Sequence, residues 1–384
     1  MKVSAASRVI APWRQAPARL GWRGLMTPDL FTPIRIGALK CPNRIFMAPL
    51  TRTRASAEHT PTEIMETYYV QRASAGLIIS EAIGVSRQGL GWPYATGLWR
   101  DDQVAGWRRI TDAVHVSSGR IIAQLWHMGR MVHPSFNDGA DPVSSSATRA
   151  PGRAHTYAGR DAYAVARPLL EAEIGDIVED YRRAAANAMR AGFDGVQIHA
   201  ANGYLIDQFL RDNANFRDDR YGGSIENRIR FLLEITDAIS REVGATNTSV
   251  RLSPNGNSQG VNDSNPEPLF VHVAQMLDRA GIASLELREP PLDGTLGQAD
   301  RAPLAPAIRA HFKGPLILNS DLTAEDAKAL LRSGSADAVS FGRSFISNPD
   351  LPRRIAAGLP LATYDKSAFY TQGVEGYCDY PAAS

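Results

Sequence analysis

The stretch EIGDIVEDYRRAAANAMRAGFDGVQIHAANGY, residues 173–204, contains the pattern that decides the fold. Apolar residues recur at helical spacing from Ile174 to Ala185, which predicts an amphipathic helix with one buried stripe. Gly192 follows as a helix stop, and the apolar run Gly195–His199 then predicts a buried strand. A helix followed by a buried strand, with polar residues after it, is therefore the repeating unit to look for in the rest of the chain.

The same alternation of short apolar runs and segments of helical period continues along the chain from Leu30 onward. Near-continuous apolar runs, unlike runs that alternate with polar residues, are typical of parallel strands buried on both faces. The predicted strands are Arg44–Leu50, Gly76–Ala82, Arg120–Leu125, Gly195–His199, Ser249–Leu252, Ser284–Leu287, Pro315–Leu318 and Ala338–Phe341. This alternation favours an α/β fold, a single (β/α)8 TIM barrel. A doubly wound open sheet is the alternative, which we disfavour because no G-x-G-x-x-G motif follows the first strand.

Two helices have clear boundary signals. Thr323 and Asp326 form the pattern of a capping box, and Gly334 is predicted to end the helix that they open. Ser224 is predicted to cap a second helix that runs to Ile239.

Two stretches interrupt the rhythm of strands and helices. Residues 131–168, after the third strand, are rich in Pro, Ser, Gly and Ala and show no clear period, so we predict an inserted lid or loop. Ser367–Ser384 places several aromatic residues among glycines and is expected to fold back over one face of the barrel. Because no linker marks a second domain, residues 29–384 are predicted to form one barrel domain.

The first 28 residues differ in composition from the remainder of the chain. They contain no acidic residue and five basic ones: Lys2, Arg8, Arg14, Arg19 and Arg23. Such a segment is typical of a mitochondrial transit peptide, here residues 1–25, or of a disordered extension upstream of a start near Met26. We favour the disordered extension and leave residues 1–28 out of the fold prediction.

The composition excludes several classes of function. The 384 residues carry a formal net charge of +2, with 44% hydrophobic and 21% charged residues, which is typical of a globular protein. There is no basic stripe for nucleic acid, and no apolar run approaches the roughly 20 residues that span a membrane. Cys41 and Cys378 lie far apart without metal-ligand spacing, so we expect two thiols and a cytoplasmic location.

The predicted carboxyl ends of the strands are unusually polar, and in a TIM barrel this is where functional groups lie. Any one of these side chains could serve only as a structural hydrogen-bonder. Polar groups from several strands at one rim, however, are costly to bury without partners. The predicted rim therefore marks a ligand site, to which different strands contribute Thr51, Gln124, His199, Arg251, Asn319 and Arg343.

The most informative group is His199, Asn202 and Tyr204, which follows the fourth strand. His and Asn at this spacing can direct two N–H donors at one oxygen, which withdraws charge from an activating carbonyl or nitro group. The phenol of Tyr204 can supply a proton as a general acid. No Ser or Cys nucleophile accompanies them, and no His residue pairs with carboxylates at metal-ligand spacing, so we predict neither a hydrolase triad nor a metal site.

A second group is placed for a phosphate. Asn319, Ser320 and Asp321 follow the seventh strand, and Gly342 and Arg343 follow the eighth. Barrels bind phosphates at these two loops, where backbone N–H groups and one guanidinium suit a dianion. Flavins and sugar phosphates fit this signal equally well.

From Leu30 to Pro381 the chain resembles the old yellow enzyme family of FMN-dependent ene-reductases, and most closely its bacterial N-ethylmaleimide and 2-cyclohexenone reductases. Several long motifs in the right order make the resemblance specific. The matching segments are LFTPIRIG (30–37), NRIFMAPLTR (43–52), QRASAGLIISEA (71–82), AQLWHMGR (123–130), GFDGVQIHAANGYL (192–205), DRYGGSIENR (219–228), RLSP (251–254), FGR (341–343), NPDL (348–351) and EGYCDYP (375–381).

The resemblance implies a role for each candidate residue around non-covalent FMN. Pro49, Leu50, Thr51, Ala82, Gln124 and Arg251 would surround the ring, with Gln124 at its pyrimidine edge and Arg251 near N1 and O2. The phosphate would be held by Asn319, Ser320, Gly342 and Arg343. His199 and Asn202 would hold the substrate oxygen with Tyr204 as proton donor, and the pocket walls would be Trp92, Trp126 and Tyr370.

The implied reaction passes a hydride from NADPH or NADH, through flavin N5, to the β-carbon of an α,β-unsaturated carbonyl, maleimide or nitro-activated alkene. Tyr204 would protonate the α-carbon. The partners would be these small molecules alone, and the protein a monomer or homodimer. Two departures stand out: other members have a second His where this chain has Asn202, and many have glycines where it has Asn319-Ser320-Asp321.

Two rival interpretations remain open at this point. A flavin-free, phosphate-binding barrel lyase or isomerase would need a lysine or an acid–base carboxylate at a strand end. No lysine lies there, and Glu81 and Glu286 are the carboxylates available. The other rival is a non-catalytic flavin-binding protein, which the intact His–Asn–Tyr set disfavours.

Overall fold

A computed structural model describes residues 28–292, 294 and 299–383 and contains a closed barrel of eight parallel strands. Sequence neighbours pair with one another, and β8 pairs with β1 to close the barrel. The TIM barrel prediction is confirmed and the open-sheet alternative is wrong. The strands are β1 (Ile45–Met47), β2 (Leu77–Gly84), β3 (Ile121–Trp126), β4 (Val196–His199), β5 (Thr248–Leu252), β6 (Ser284–Arg288), β7 (Leu316–Asn319) and β8 (Ala338–Phe341). The extension predicted for residues 1–28 lies, apart from Pro28, outside the described residues.

Most strand boundaries agree with prediction to within one residue, and the two exceptions have local causes. β1 ends at Met47 instead of Leu50, where the chain runs into Pro49, which lacks the N–H that a central strand needs. β2 continues to Gly84 because its pairing with β3 shifts register between Ile79 and Ala82 and then resumes, with Gly84 opposite Trp126. Such a β-bulge locally bends and twists a strand and redirects its side chains.

Eight helices pack around the barrel within the described residues: α1 (Glu63–Val70), α2 (Asp101–Val116), α3 (Glu171–Arg190), α4 (Arg230–Val243), α5 (Pro266–Ala280), α6 (Ala305–His311), α7 (Ala324–Ser333) and α8 (Leu351–Ala357). Three further short helices are Leu205–Leu210, Ile225–Arg228 and Arg343–Ser347. None of the described helices combines the length and the apolar character needed to cross a membrane.

The helix signals in the sequence are confirmed with one correction. The stripe of α3 is buried from Ile174 to Ala185, and Thr323 and Asp326 form a reciprocal capping box at the start of α7. Ser224, however, caps only the short helix Ile225–Arg228, and α4 begins at Arg230. The single helix predicted to run from Ser224 to Ile239 is therefore two helices.

The amino-terminal end of the barrel is closed by an outer hairpin of strands Ile34–Ile36 and Leu39–Cys41. Its side chains join an apolar cluster in which they meet inward-facing residues of several barrel strands, including Phe46 and Ile317. Among the residues that the structure describes, this apolar surface covers one end of the barrel, which leaves the opposite rim for a ligand.

The segment between β3 and α3 contains short strands instead of an irregular loop. Residues Arg153–Thr156 and Gly159–Ala162 form an antiparallel hairpin, and Val143–Ser144 pairs with Arg167–Pro168. The hairpin strands are mostly exposed and polar, which explains why the sequence showed no period there.

The C-terminal segment, residues 366–380, lies against the loop that follows β1. Arg52 donates to the carbonyls of Phe369 at 3.0 Å and Gly376 at 2.6 Å. Arg54 donates to the carbonyls of Ala368 at 3.2 Å and Glu375 at 3.1 Å, among other acceptors in this segment. Both arginines are buried, so the segment is fixed to the barrel by guanidinium–carbonyl hydrogen bonds.

A third buried arginine supplies a stability test. Arg72, in the turn after α1, donates to the carbonyls of Tyr68, Phe345 and Ile346 at 2.8 to 2.9 Å, and its guanidinium lies 3.7 Å from the Tyr68 ring centroid. Arg72→Met should lower the free energy of unfolding by about 3 kcal/mol, because several buried carbonyls lose their donors. Urea denaturation measures this change. The exposed Arg332→Met serves as the control and should change it by less than about 0.5 kcal/mol; equal losses in both variants would contradict the prediction.

Candidate active site

A cavity of about 580 Å³ opens at the carboxyl end of the strands, a size that suits a ligand or cofactor. All of the candidate residues from the sequence line it: Pro49, Leu50, Thr51, Ala82, Trp92, Gln124, Trp126, His199, Asn202, Tyr204, Arg251, Asn319, Ser320, Gly342, Arg343 and Tyr370. They come from the carboxyl ends of seven strands or the loops that follow them, and from the C-terminal segment.

The loop after β4 has an unusual backbone that places its side chains in the cavity. Asn202 and Gly203 have φ values of 59° and 78°, a left-handed conformation that Asn tolerates better than most residues. The Asn202 N–H donates to Ser253 Oγ at 2.8 Å, and the Gly203 N–H donates to Asp207 Oδ2 at 2.9 Å. Asp207 is itself held by a buried ion pair with Arg211 at 2.8 Å. The loop geometry is therefore fixed from behind.

The rings of His199, Tyr204 and Trp126 pack together in this part of the cavity. Tyr204 meets the edges of both partners, with centroids 5.0 Å from His199 and 4.9 Å from Trp126. Burial, reinforced by Arg251 and Arg288, holds the pKa of His199 well below its usual value, so its imidazole is neutral. Burial raises the pKa of Tyr204 well above its usual value, so its phenol keeps its proton.

Buried polar atoms without partners point to a ligand at this place. His199 Nδ1 and Asn202 Oδ1 are buried and have no hydrogen-bond partner among the described residues. Buried polar groups are nearly always satisfied in folded proteins, and each exception needs an explanation. A ligand oxygen that accepts a hydrogen bond would satisfy an N–H at His199 Nδ1, and a ligand donor would satisfy Asn202 Oδ1.

The opposite end of the cavity has the groups that suit a phosphate. Arg343 forms an ion pair with Asp321 and donates to the Tyr364 hydroxyl at 3.0 Å, while Ser320 Oγ is buried without a partner among the described residues. A Cβ added at Gly342 would meet only Leu50 Cδ2 at 3.4 Å and an Ala48 carbon at 4.0 Å, so the backbone there is open to the cavity. A guanidinium, a hydroxyl and an open backbone are a fitting donor set for FMN phosphate.

The middle of the cavity is lined by the groups expected around a flavin ring. The bulge in β2 brings Ala82 to the surface of the cavity, and Ser80 Oγ, within the bulge, accepts from the Gln124 N–H at 3.1 Å. Arg251 Nη2 donates to Asn319 Oδ1 at 2.7 Å, which links the ring end to the phosphate end. Apolar, amide and cationic groups in this order fit the faces and edges of an isoalloxazine.

Several lining residues were not predicted from the sequence, of which Arg288 is the most notable. It is the last residue of β6, opposite Asn319 of β7 in register, and it donates to Ser258 Oγ at 3.2 Å. Burial and the neighbouring Arg251 lower its pKa to about 10. The predicted strand stopped one residue short at Leu287, and extending it would have placed Arg288 at the rim. Ser258, Gln259 and Phe369 also line the cavity and gave no recognisable signal.

The two carboxylates considered for a lyase or isomerase, Glu81 and Glu286, do not line the cavity. Glu81 faces α1, where Tyr69 donates to it at 3.3 Å, and burial raises its pKa to about 8. Glu286 is buried inside the barrel, 3.5 Å from Arg251 Nε. No lysine lines the described part of the cavity. In the same part of the chain, no group of His, Cys, Asp or Glu is arranged to hold a metal ion.

Comparison with known proteins agrees with this geometry. Residues 29–362 match the family described as NADH:flavin oxidoreductase / NADH oxidase. Flavin oxidoreductase hxnT of Emericella nidulans is 41% identical over 390 residues, covering 94% of this chain and 100% of the relative.

Two solved structures are also similar over nearly their whole length. An old yellow enzyme homologue from Zymomonas mobilis is 57% identical with a TM-score of 0.91, covering 92% of this chain and 99% of that one. Morphinone reductase in complex with tetrahydroNAD is 44% identical with a TM-score of 0.88, covering 93% and 98%. The chain therefore belongs to the NADH:flavin oxidoreductase / NADH oxidase family, as an old yellow enzyme homologue with FMN as its cofactor and a nicotinamide dinucleotide as its reductant.

Proposed function

We propose that this protein is an ene-reductase that reduces carbon–carbon double bonds activated by a carbonyl, maleimide or nitro group. The observation that carries the proposal is the unsatisfied, neutral His199 beside Asn202 and a protonated Tyr204, in the same cavity as the flavin-binding residues. An uncharged donor pair next to a proton donor suits an alkene whose activating group carries an oxygen.

Bound FMN would supply the hydride chemistry, accepting a hydride from the nicotinamide and passing it to the alkene. Pro49, Leu50, Thr51, Ala82, Gln124 and Arg251 would hold the ring, and Asn319, Ser320, Gly342 and Arg343 the phosphate. Because Asp321 already pairs with Arg343, the phosphate would share that guanidinium with a carboxylate.

The chain's own contribution to the reaction is orientation and polarisation. His199 and Asn202 would hold the activating oxygen by N–H donors, which withdraws electron density from the β-carbon. Trp92, Trp126 and Tyr370 would form walls that exclude water and fix the plane of the alkene. The Trp92 ring lies 5.6 Å from that of Tyr370 and 4.6 Å from that of His155 in the inserted hairpin, so the hairpin would act as a lid over the cavity.

Tyr204 would place its phenolic proton on the α-carbon. Its raised pKa keeps the phenol protonated at neutral pH, and its edge-on contacts with Trp126 and His199 restrict the ring to one orientation. A fixed, protonated phenol is the requirement for a general acid at a carbon atom.

Several finer features belong to the same proposal. We infer a cytoplasmic enzyme that uses NADPH or NADH, acts on small molecules and is a monomer or homodimer, with residues 29–384 as one FMN-binding domain. Cys41 and Cys378, both free thiols in the structure, are consistent with a reducing compartment.

The decisive experiment is to purify the protein with added FMN and follow NADPH or NADH oxidation anaerobically with and without 2-cyclohexenone. We expect flavin absorbance and consumption of the nicotinamide that depends on the alkene. A colourless protein that takes up no FMN would contradict the cofactor assignment. Flavin binding without alkene-dependent turnover would favour a non-catalytic flavoprotein.

Tyr204→Phe tests the proton donor. Alkene reduction should slow by about a hundredfold or more, because the general acid is lost while the ring packing remains. Reduction of the bound flavin by the nicotinamide should stay nearly unchanged, since that step needs no such acid. Stopped-flow measurement of the two half-reactions separates them, and an unaffected alkene half-reaction would remove Tyr204 from this role.

The pH dependence tests the protonation states. The pKa of His199 is lowered, so its imidazole is neutral at any pH above that lowered pKa. The pKa of Tyr204 is raised, so its phenol is protonated at any pH below that raised pKa. Alkene reduction should therefore be flat between about pH 6 and about pH 9, instead of following the ordinary His and Tyr pKa values. A break at the usual histidine pKa that disappears in His199→Gln would contradict a neutral His199.

Substitution at Asn202 tests both its backbone and its donor. A small phenol added as a probe ligand would place its oxygen where the substrate's activating oxygen would lie. Asn202→His should keep the affinity for this probe within about threefold, because His also tolerates the left-handed backbone and offers an N–H. Asn202→Val should weaken phenol binding by about tenfold and lower the free energy of unfolding by about 1–2 kcal/mol. Titration of the bound flavin's absorbance and urea denaturation give the two quantities; a Val variant equal to the His variant would refute the argument.

A further inference from the structure

Two buried side chains lie behind the cavity-lining residues without lining the cavity themselves. Gln197 of β4 and Glu286 of β6 are fully buried inside the barrel. They reach the lining residues Gln124 of β3 and Arg251 of β5, because Gln197 is opposite Gln124 in register and Glu286 is opposite Arg251. A polar layer therefore lies beneath the part of the cavity that would hold the flavin ring.

The carboxylate of Glu286 is the centre of this layer. Ser340 Oγ donates to Glu286 Oε1 at 2.6 Å, Gln197 Nε2 donates to Oε2 at 2.8 Å, and Arg251 Nε lies 3.5 Å from Oε2. Both carboxylate oxygens are thus satisfied and the charge is balanced by one guanidinium. Without these partners a buried carboxylate would be strongly destabilising.

One branch of the network fixes the direction of two amides. A carboxylate offers only acceptors, so Gln197 must turn its NH2 group toward Glu286 and its oxygen the other way. Gln124 Nε2 then donates to Gln197 Oε1 at 2.8 Å. Gln124 Oε1, which has no hydrogen-bond partner among the described residues, is left for the cavity as an acceptor.

The other branch is a closed cycle of polar contacts that holds the guanidinium of Arg251. Arg251 Nη2 donates to Asn319 Oδ1 at 2.7 Å, and Asn319 Nδ2 donates to the carbonyl of Ser340 at 2.9 Å. The Ser340 hydroxyl donates to Glu286, which completes the cycle. The guanidinium is therefore fixed in position, and the carboxylate behind it offsets part of its charge.

We propose that Glu286 is a positioning residue for the flavin: through Gln197 it directs the Gln124 oxygen at the imide N–H of FMN, and through Arg251 it limits the positive charge that the ring's pyrimidine edge meets. This inference rests on the proposed function, since it needs FMN in this cavity. Glu286 does not line the cavity and so would not touch the ring; it would act through Gln197 and Arg251 and through the field of its own charge.

Glu286→Gln removes the charge and keeps the shape. The reduced flavin carries more negative charge than the oxidised form, so loss of a nearby carboxylate should favour reduction. We expect the ratio of reduced to oxidised flavin at a fixed potential to rise about tenfold, which for two electrons is a midpoint shift of about +30 mV. FMN affinity should also fall by about threefold or more, because the amide of Gln124 is no longer held in one direction.

Gln197→Leu separates the two branches. It breaks the relay to Gln124 but leaves the Glu286–Arg251 pair intact, so FMN affinity should fall while the midpoint potential stays close to that of the wild type. Glu81→Gln is the matched control. Glu81 is also buried, but it faces α1, and its raised pKa of about 8 keeps it mostly uncharged at neutral pH. Substituting it should change neither FMN affinity nor potential.

The measurements are FMN dissociation constants by fluorescence titration and midpoint potentials by equilibration with a reference dye, both on the full chain at neutral pH. A variant that is merely less stable would have a lower free energy of unfolding but an unchanged midpoint potential of the bound flavin. Wild-type affinity and potential in Glu286→Gln, or an equal shift in Glu81→Gln, would overturn the proposal. If Glu286→Gln does not fold, unchanged FMN affinity in Gln197→Leu overturns the relay. A wild-type protein that binds no FMN would instead refute the proposed function.

Discussion

Closure of the parallel strands into one barrel is the constraint on which the other features depend. Parallel strands that close on themselves end at the same rim, so residues far apart in the sequence become neighbours. His199 lies opposite Arg251 in register, and Arg251 lies opposite Glu286. In the described part of the chain, apolar side chains and the outer hairpin fill the other end, so the polar side chains of the strands meet solvent at the carboxyl rim.

Charge buried behind that rim is stable only where it is paired. Glu286 is balanced by Arg251, and Asp207 by Arg211, and the carboxylate of each pair accepts further hydrogen bonds. Removing one member of such a pair typically costs about 3–5 kcal/mol, since the other is left buried and charged. The residues behind the cavity therefore tolerate substitution as poorly as those that line it. Their role is to hold the lining side chains in one orientation.

The sequence predicted the barrel and the lining residues well because both follow simple rules. Buried parallel strands are continuous apolar runs, and the polar residues at the carboxyl ends of such runs lie at one rim, which is sufficient to find Gln124, His199 and Arg251. Arg288 was missed because the apolar run ends before it. The inserted hairpin was missed because its exposed strands carry no hydrophobic period, and the split after Arg228 because both helices share one apolar pattern. The hydrogen-bond directions around Glu286 depend on contacts among strands distant in sequence, which no local pattern contains.

The arginine contacts of the C-terminal segment have a consequence for the order in which the protein can be completed. Arg52 and Arg54 belong to the loop after the first barrel strand, yet their carbonyl acceptors lie at residues 368–376. On the ribosome, these two guanidiniums emerge more than 300 residues before their partners. Until translation passes the eighth strand, they must stay hydrated or donate to other acceptors. A nascent chain arrested before that point would have a barrel in which the loop after β1 is not yet held by the C-terminal segment.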